Sequence, residues 1–182
     1  MSAGPDTQWP RWEVFKQDGP GKRHQAVGSV HAADPQHALY TARSVFARRP
    51  AAVSLWVALA QDIHAITLEQ RQAGATLPGT PGPAQPYRVF GKASQRRAMT
   101  FVDDLGTVEA ASPQAALEQA CERYGDDLLV WWVVPEPALH RSPEDAPSLD
   151  SWFAPAQDKT YRQQGSYGLV GRHPGERRRE QP

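Results

Sequence analysis

Cysteine is almost absent from this chain of 182 residues. With Cys121 alone, no internal disulfide can close and no cysteine-rich metal site can assemble. A small buried thiol in a reducing compartment is the expectation. Long apolar runs are also missing. None approaches the ~20 residues that cross a bilayer. The opening stretch MSAGPDTQWP lacks a charged region followed by an apolar core. No membrane and a cytoplasmic location are therefore expected. Net charge is missing as well: 20 Lys+Arg stand against 20 Asp+Glu. That balance argues against a general nucleic-acid binder, which needs a basic excess.

Catalytic fingerprints are scarce too. No G-x-S-x-G, P-loop or G-x-G-x-x-G stretch occurs. No Glu-x-x-His pair of the kind used in helical di-iron sites is present. Asp103-Asp104 and Asp126-Asp127 are adjacent pairs, which point apart on a strand and read as turn markers. No catalytic residue, metal site or cofactor is expected. Asp34 and His37 stand three apart, but Asp34 suits a helix cap better than a ligand pair.

Proline is plentiful, with 17 residues unevenly placed. QAGATLPGTPGPAQP, residues 72–86, has almost no large apolar side chain and reads as a linker. Residues 1–8 and 174–182 read as disordered tails; the run Arg177-Arg178-Arg179 falls in the second of them. The linker separates two stretches that match each other: residues 9–71 and a diverged second copy, residues 87–140. WEVF (12–15) answers YRVF (87–90) at an offset of 75. GSVHAADPQHALYTARSVF (28–46) answers GTVEAASPQAALEQACERY (106–124) at 78. Leu55-Trp56-Val57 answers Trp131-Trp132-Val133, and His64 answers His140, at 76.

Each copy reads as β-β-α-β. Trp12 and Val14, or Tyr87 and Val89, share a face of the first strand. DGPGKRH makes the hairpin turn of copy one. Asp34 or Ser112 caps the helix, and Pro35 or Pro113 takes its first position, where a missing N–H costs nothing. Ala38, Leu39, Ala42, Val45 and Phe46 recur at helical spacing, and Ala116, Leu117, Ala120 and Tyr124 repeat the stripe. The third strand is apolar on both faces, yet the helix covers only one. Phe15 and Phe90 likewise face away from Val14 and Val89. The fold expected is α+β, with two β-β-α-β repeats packed as a pseudo-twofold intramolecular dimer. Phe15, Phe90, Trp56, Trp131 and Trp132 are expected at the contact between repeats.

His64 and His140 read as structural or interface groups. Lys22, Arg23 and His24, with Arg96 and Arg97 in the second copy, read as solvated hairpin tips. Sheet aromatics beside arginines would also suit an RNA-binding sheet, but the neutral charge balance disfavours it.

The block VGSVHAADPQHALYTARSVFARRPAAVSLWV (27–57) resembles the B-subunit family of the multicomponent phenylacetyl-CoA ring 1,2-epoxidase, the PaaB family of phenylacetate degradation. WPRWEVF (9–15) and the tail WFAPAQDKTYRQQGSYGL (152–169) resemble it too. Family members are about half this length, so the chain looks like a tandem fusion, with the family tail at residues 141–173. The resemblance implies a non-catalytic, bridging subunit in aerobic phenylacetate degradation. Its implied partners are the di-iron oxygenase component, known as A, and the structural component C, with the reductase as a further candidate and no nucleic acid. Under that reading Arg48, Arg49, Trp152, Phe153, Lys159, Tyr161 and Arg162 are expected to contact partners. A second reading is a stand-alone small α/β-barrel-like monooxygenase or isomerase with a pocket between the repeats, served by His64 or His140.

Overall fold

A computed structural model describes residues 8–47, 52–95, 101–145 and 151–154. Strand β1 (Arg11–Gln17) turns into β2 (Gln25–His31), followed by α1 (Pro35–Phe46) and β3 (Ser54–Leu59). A short β4 (His64–Thr67) and a single-turn helix α2 (Leu68–Gln72) come next. The order then recurs: β5 (Gln85–Lys92), β6 (Asp103–Ala110), α3 (Pro113–Tyr124), β7 (Val130–Pro135) and a two-residue β8 (His140–Arg141). The chain is α+β, and its strands form one antiparallel sheet ordered β4-β7-β5-β6-β2-β1-β3-β8.

The helix starts follow from the residues expected. The Asp34 carboxylate accepts from the His37 N–H at 2.8 Å, and the Ser112 hydroxyl accepts from the Ala115 N–H at 3.1 Å. Ala38 and Ala42 of α1, and Ala116, Leu117 and Ala120 of α3, are buried against the sheet. Val45, expected in the stripe, is 58% exposed. At the end of α1 the buried line drifts through Ala42 to Phe46 and Ala47 instead.

Each hairpin carries a bulge before its phenylalanine, between Val14 and Phe15 and between Val89 and Phe90. Gly28 (φ 141°) and Gly106 (φ 136°) stand opposite these bulges. The aromatic ring ending each helix lies over the glycine: a Cβ on Gly28 would come within 3.0 Å of Phe46, and one on Gly106 would collide with the Tyr124 hydroxyl. Gly106→Ala therefore meets both a forbidden φ and a steric block, and should destabilise by about 1–3 kcal/mol. Chemical denaturation checks this; an unchanged midpoint would contradict it.

Alternation on the tryptophan strands assigns both faces. Leu55 and Val57 lie in a core under α1 with Trp12, Val14 and Val30. Trp131 and Val133 lie in a core under α3 with Tyr87, Val89 and Leu117. Trp56, Phe15, Phe90, Val134 and the half-buried Trp132 form a third cluster on the opposite face. Trp131 lies outside the third cluster, yet it meets the first copy all the same: Ile66 of β4 pairs opposite it and shares its core, and Arg71 lies 5.3 Å over its ring. Adjacent strand residues point to opposite sides, so with Trp132 facing the third cluster, Trp131 must face α3.

The third cluster requires a strongly curved sheet. Strands β1 and β5 are three places apart, so a flat sheet would hold them ~14 Å apart. The Phe15 and Phe90 rings nevertheless stack with centroids 4.2 Å apart. At the middle of the curve, β2 meets β6 through Gln25 and Asp103. Ala26 N–H donates to the Val102 carbonyl and Phe101 N–H to the Ala26 carbonyl, both at 2.9 Å.

The segments after β3 and β7 cross over. Strand β4 leaves the first half to pair with β7, setting His64 opposite Val133 and Ala65 opposite Trp132. Strand β8 leaves the second half to pair with β3, setting His140 opposite Val57 and Arg141 opposite Trp56. Both pairings obey the same shift of 76. Further on, Leu77 is buried in the α3-side core and Phe153, again 76 later, in the α1-side core. The Pro/Gly-rich stretch 72–86 is consequently more than a spacer. Leu77 N–H donates to the Gln114 side-chain oxygen at 2.9 Å, and Gly82 N–H to the Ala111 carbonyl at 2.8 Å.

Candidate functional site

Two features stand out: a polar junction on the inner face of the sheet, and an aromatic strip along α1. The junction centres on Trp56, which is 6% exposed. The His24 ring stacks on it at 3.4 Å. The guanidinium carbons of Arg88 and Arg141 lie 4.8 and 5.0 Å from its ring. Arg88 pairs with Asp104, donating from Nε to Oδ1 at 2.7 Å, and lies 3.6 Å from Glu136. Arg141 donates to the other oxygen of Glu136 at 2.7 Å. Thr107 accepts from Arg88 at 3.2 Å. Burial works against the Arg88 charge, but the hydrogen bond and charge of Asp104, with Glu136 behind it, outweigh that, and its pKa is raised.

His24 differs from its expected place at a solvated tip: it is 6% exposed, and its Nε2 is hydrogen-bonded to Ser54 Oγ at 2.9 Å. Burial lowers its pKa from the usual 6.5 to about 4, with Asp104 opposing and Arg88 and Arg141 reinforcing. It is neutral at pH 7 and serves as a packing and hydrogen-bonding group. A sign follows. Between pH 6.5 and about 4 the unfolded chain binds a proton on His24 that the folded chain refuses. This contribution is intact above pH 6.5 and is lost as pH falls, at up to ~1.4 kcal/mol per unit. Urea midpoints at about pH 7 and pH 5 should differ less in His24→Gln than in the parent; equal slopes would contradict the assignment.

The strip lies on the outer side of α1. Trp9 is 54% exposed and meets His37 edge-on at 4.7 Å. Tyr40 is 43% exposed and lies 6.2 Å from Trp152. Arg43 reaches both rings, 5.1 Å from Tyr40 and 5.0 Å from Trp152, and donates to the Trp152 carbonyl at 2.8 Å. Phe153 was expected to reach a partner, but at 3% exposure it completes the chain's own α1-side core. An apolar ring beside an amphipathic helix finds burial at home. Trp152 stays half-buried at the surface. Arg48, Arg49, Lys159, Tyr161 and Arg162 lie outside the described residues. The second half has no matching strip: Ala115, Glu118 and Cys121 occupy the positions equivalent to His37, Tyr40 and Arg43.

Among the described residues, no group of three His, Cys, Asp or Glu is placed to hold a metal ion, and no helix is long and apolar enough to cross a membrane. His64 and His140 open the two crossing strands. His140 meets the Trp12 ring edge-on at 5.8 Å, and burial lowers the His64 pKa. Sequence pattern did not reveal the Arg88–Asp104–Glu136–Arg141 cluster. Its available signal was an arginine set into the otherwise apolar strand YRVF.

A family model described as phenylacetic acid degradation B matches residues 8–77 and again residues 84–174. The B component of the 1,2-phenylacetyl-CoA epoxidase of Escherichia coli (strain K12) is 44% identical over 63 residues. That match covers 35% of this chain and 66% of the relative, just under two thirds of its length. No solved structure matches with significance.

Proposed function

The chain belongs to the phenylacetic acid degradation B family, and from that premise we propose that it is a bridging subunit, without a reaction centre of its own, of a complex that epoxidises phenylacetyl-CoA. The observation that carries the reading is the tandem family match laid over two halves of the same element order. We read the halves as copies of one module related by a pseudo-twofold axis, because both crossing strands pair in one register under a single shift. Two halves give the chain two ends with unlike surfaces, since the second lacks the α1 strip, which suits a bridge between two different partners.

The α1 strip is the proposed partner surface. Exposed aromatic groups gathered on one face of a folded chain mark contact sites, and Trp and Tyr carry much of the energy at such contacts. Trp9, Tyr40 and Trp152 supply three of them. The charged side chains at the Trp56 junction neutralise one another and serve the fold.

Co-expression with the oxygenase component A and its structural partner C tests the reading. The tagged chain should co-purify with both. Trp9→Ala with Tyr40→Ala should weaken association by about tenfold or more while the melting temperature holds. Reproducible failure of the parent chain to associate would remove the reading.

A further inference from the structure

We propose that the Trp56 junction is a pairing code, by which the first half of the chain chooses the second half over a copy of itself. The inference rests on the duplicated-module reading and goes beyond it. Crossing strands tie the halves together, but they would tie two identical halves equally well. The pairing strands β3–β8 and β7–β4 share one register, so backbone geometry does not discriminate. The side chains do.

Under the offsets that relate the copies, Arg88 corresponds to Glu13, Asp104 to Ala26, Glu136 to Ala60 and Arg141 to Ala65. On the other side of the junction, His24 corresponds to Val102 and Ser54 to Val130. The polar junction therefore exists once. At the equivalent place in the other half, Trp132 is lined by Val102 and Val130, with Phe101 5.4 Å away and Phe15 6.1 Å away edge-on.

A pair of two first halves would set Glu13 and Ala65 at Trp56 and bring no arginine to either ring. A pair of two second halves would press the Arg88–Asp104 pair and Arg141 against valines at both junctions. Buried polar groups then lose the His24 and Ser54 lining and gain nothing in return. Only the mixed pair joins one complete polar junction at Trp56 to a second at Trp132 lined by Val102, Val130, Phe101 and Phe15. Asp104 N–H donating to the His24 carbonyl at 2.8 Å, and Gln25 Nε2 donating to Asp103 Oδ1 at 2.6 Å, fasten the seam beside it.

The test starts from the whole chain. A protease site inserted between Pro83 and Ala84, in the exposed stretch between the two halves, is cut after purification. The nicked protein is then unfolded in urea, refolded by dilution and weighed by native mass spectrometry. The mixed pair should exceed its statistical share of half, outnumbering self-pairs by about tenfold or more. In Arg141→Ala, whose side chain is partly exposed and so tolerates removal, and in Arg88→Ala where it folds, self-pairs should rise several-fold. Fragments that part into monomers would overturn the interlocked reading itself. Fragments that stay paired at the statistical ratio, or variants that leave the ratio unmoved, would overturn the pairing code and leave the interlock standing.

Discussion

Phe15→Ala is expected to destabilise the chain by about 3–5 kcal/mol, the range for removing a buried phenylalanine ring from a closed core. Phe15 and Phe90 are both fully buried, and they stack on each other across the curved sheet. Neither helix-side core can collapse into the gap, because each lies on the other side of a strand. Phe90→Ala should cost a similar amount. The double variant should cost less than the sum by ~0.5–1.5 kcal/mol, the coupling measured for aromatic pairs. Urea denaturation followed by tryptophan fluorescence reads all three. Strict additivity would mean that the two rings do not share one core.

Asp104→Ala should be the second severe change. Its carboxylate side chain is 8% exposed and meets Arg88, which is 22% exposed. Removing it leaves a half-buried guanidinium with the Thr107 hydroxyl at 3.2 Å and, as its remaining carboxylate among the described residues, Glu136 at 3.6 Å. Breaking a buried pair on one side costs about 3–5 kcal/mol, and access of Arg88 to water brings the expectation to about 2–4. The control is the double change Asp104→Leu with Arg88→Met. Replacing both partners by apolar groups removes the stranded charge, so most of the loss should return. A double variant no better than Asp104→Ala would show that the pair acts through something other than its own charges.

Much of this architecture was readable from residue order. Helix caps at Asp34 and Ser112, the proline at each first position and the stripe of alanines are local signals, and local signals survive folding. The doubly apolar strands showed that a second covering was needed. Alternation also held the answer for Trp131, since two neighbouring tryptophans cannot share a face. The crossing of β4 and β8 was not readable. These strands are four and two residues long, too short for periodicity to declare them, and hydrophobic pattern reports faces rather than edges. The repeated histidines His64 and His140 marked where the crossings begin without saying where they lead. The charged cluster was hidden for a different reason: a charged residue reads as solvent-facing until its partners are known. Asp104 finds Arg88 on a neighbouring strand, while the ring both serve, Trp56, comes from the other half of the chain.

We propose that the two halves fold as one body, each completing the other. Differential scanning calorimetry of the intact chain alongside Phe153→Ala tests this most directly, since Phe153 follows the second half in sequence yet packs into the core of the first. A single transition is predicted in both proteins, with equal calorimetric and van't Hoff enthalpies, shifted as a whole to lower temperature in the variant. Two resolved transitions, only one of them moved by the substitution, would contradict it.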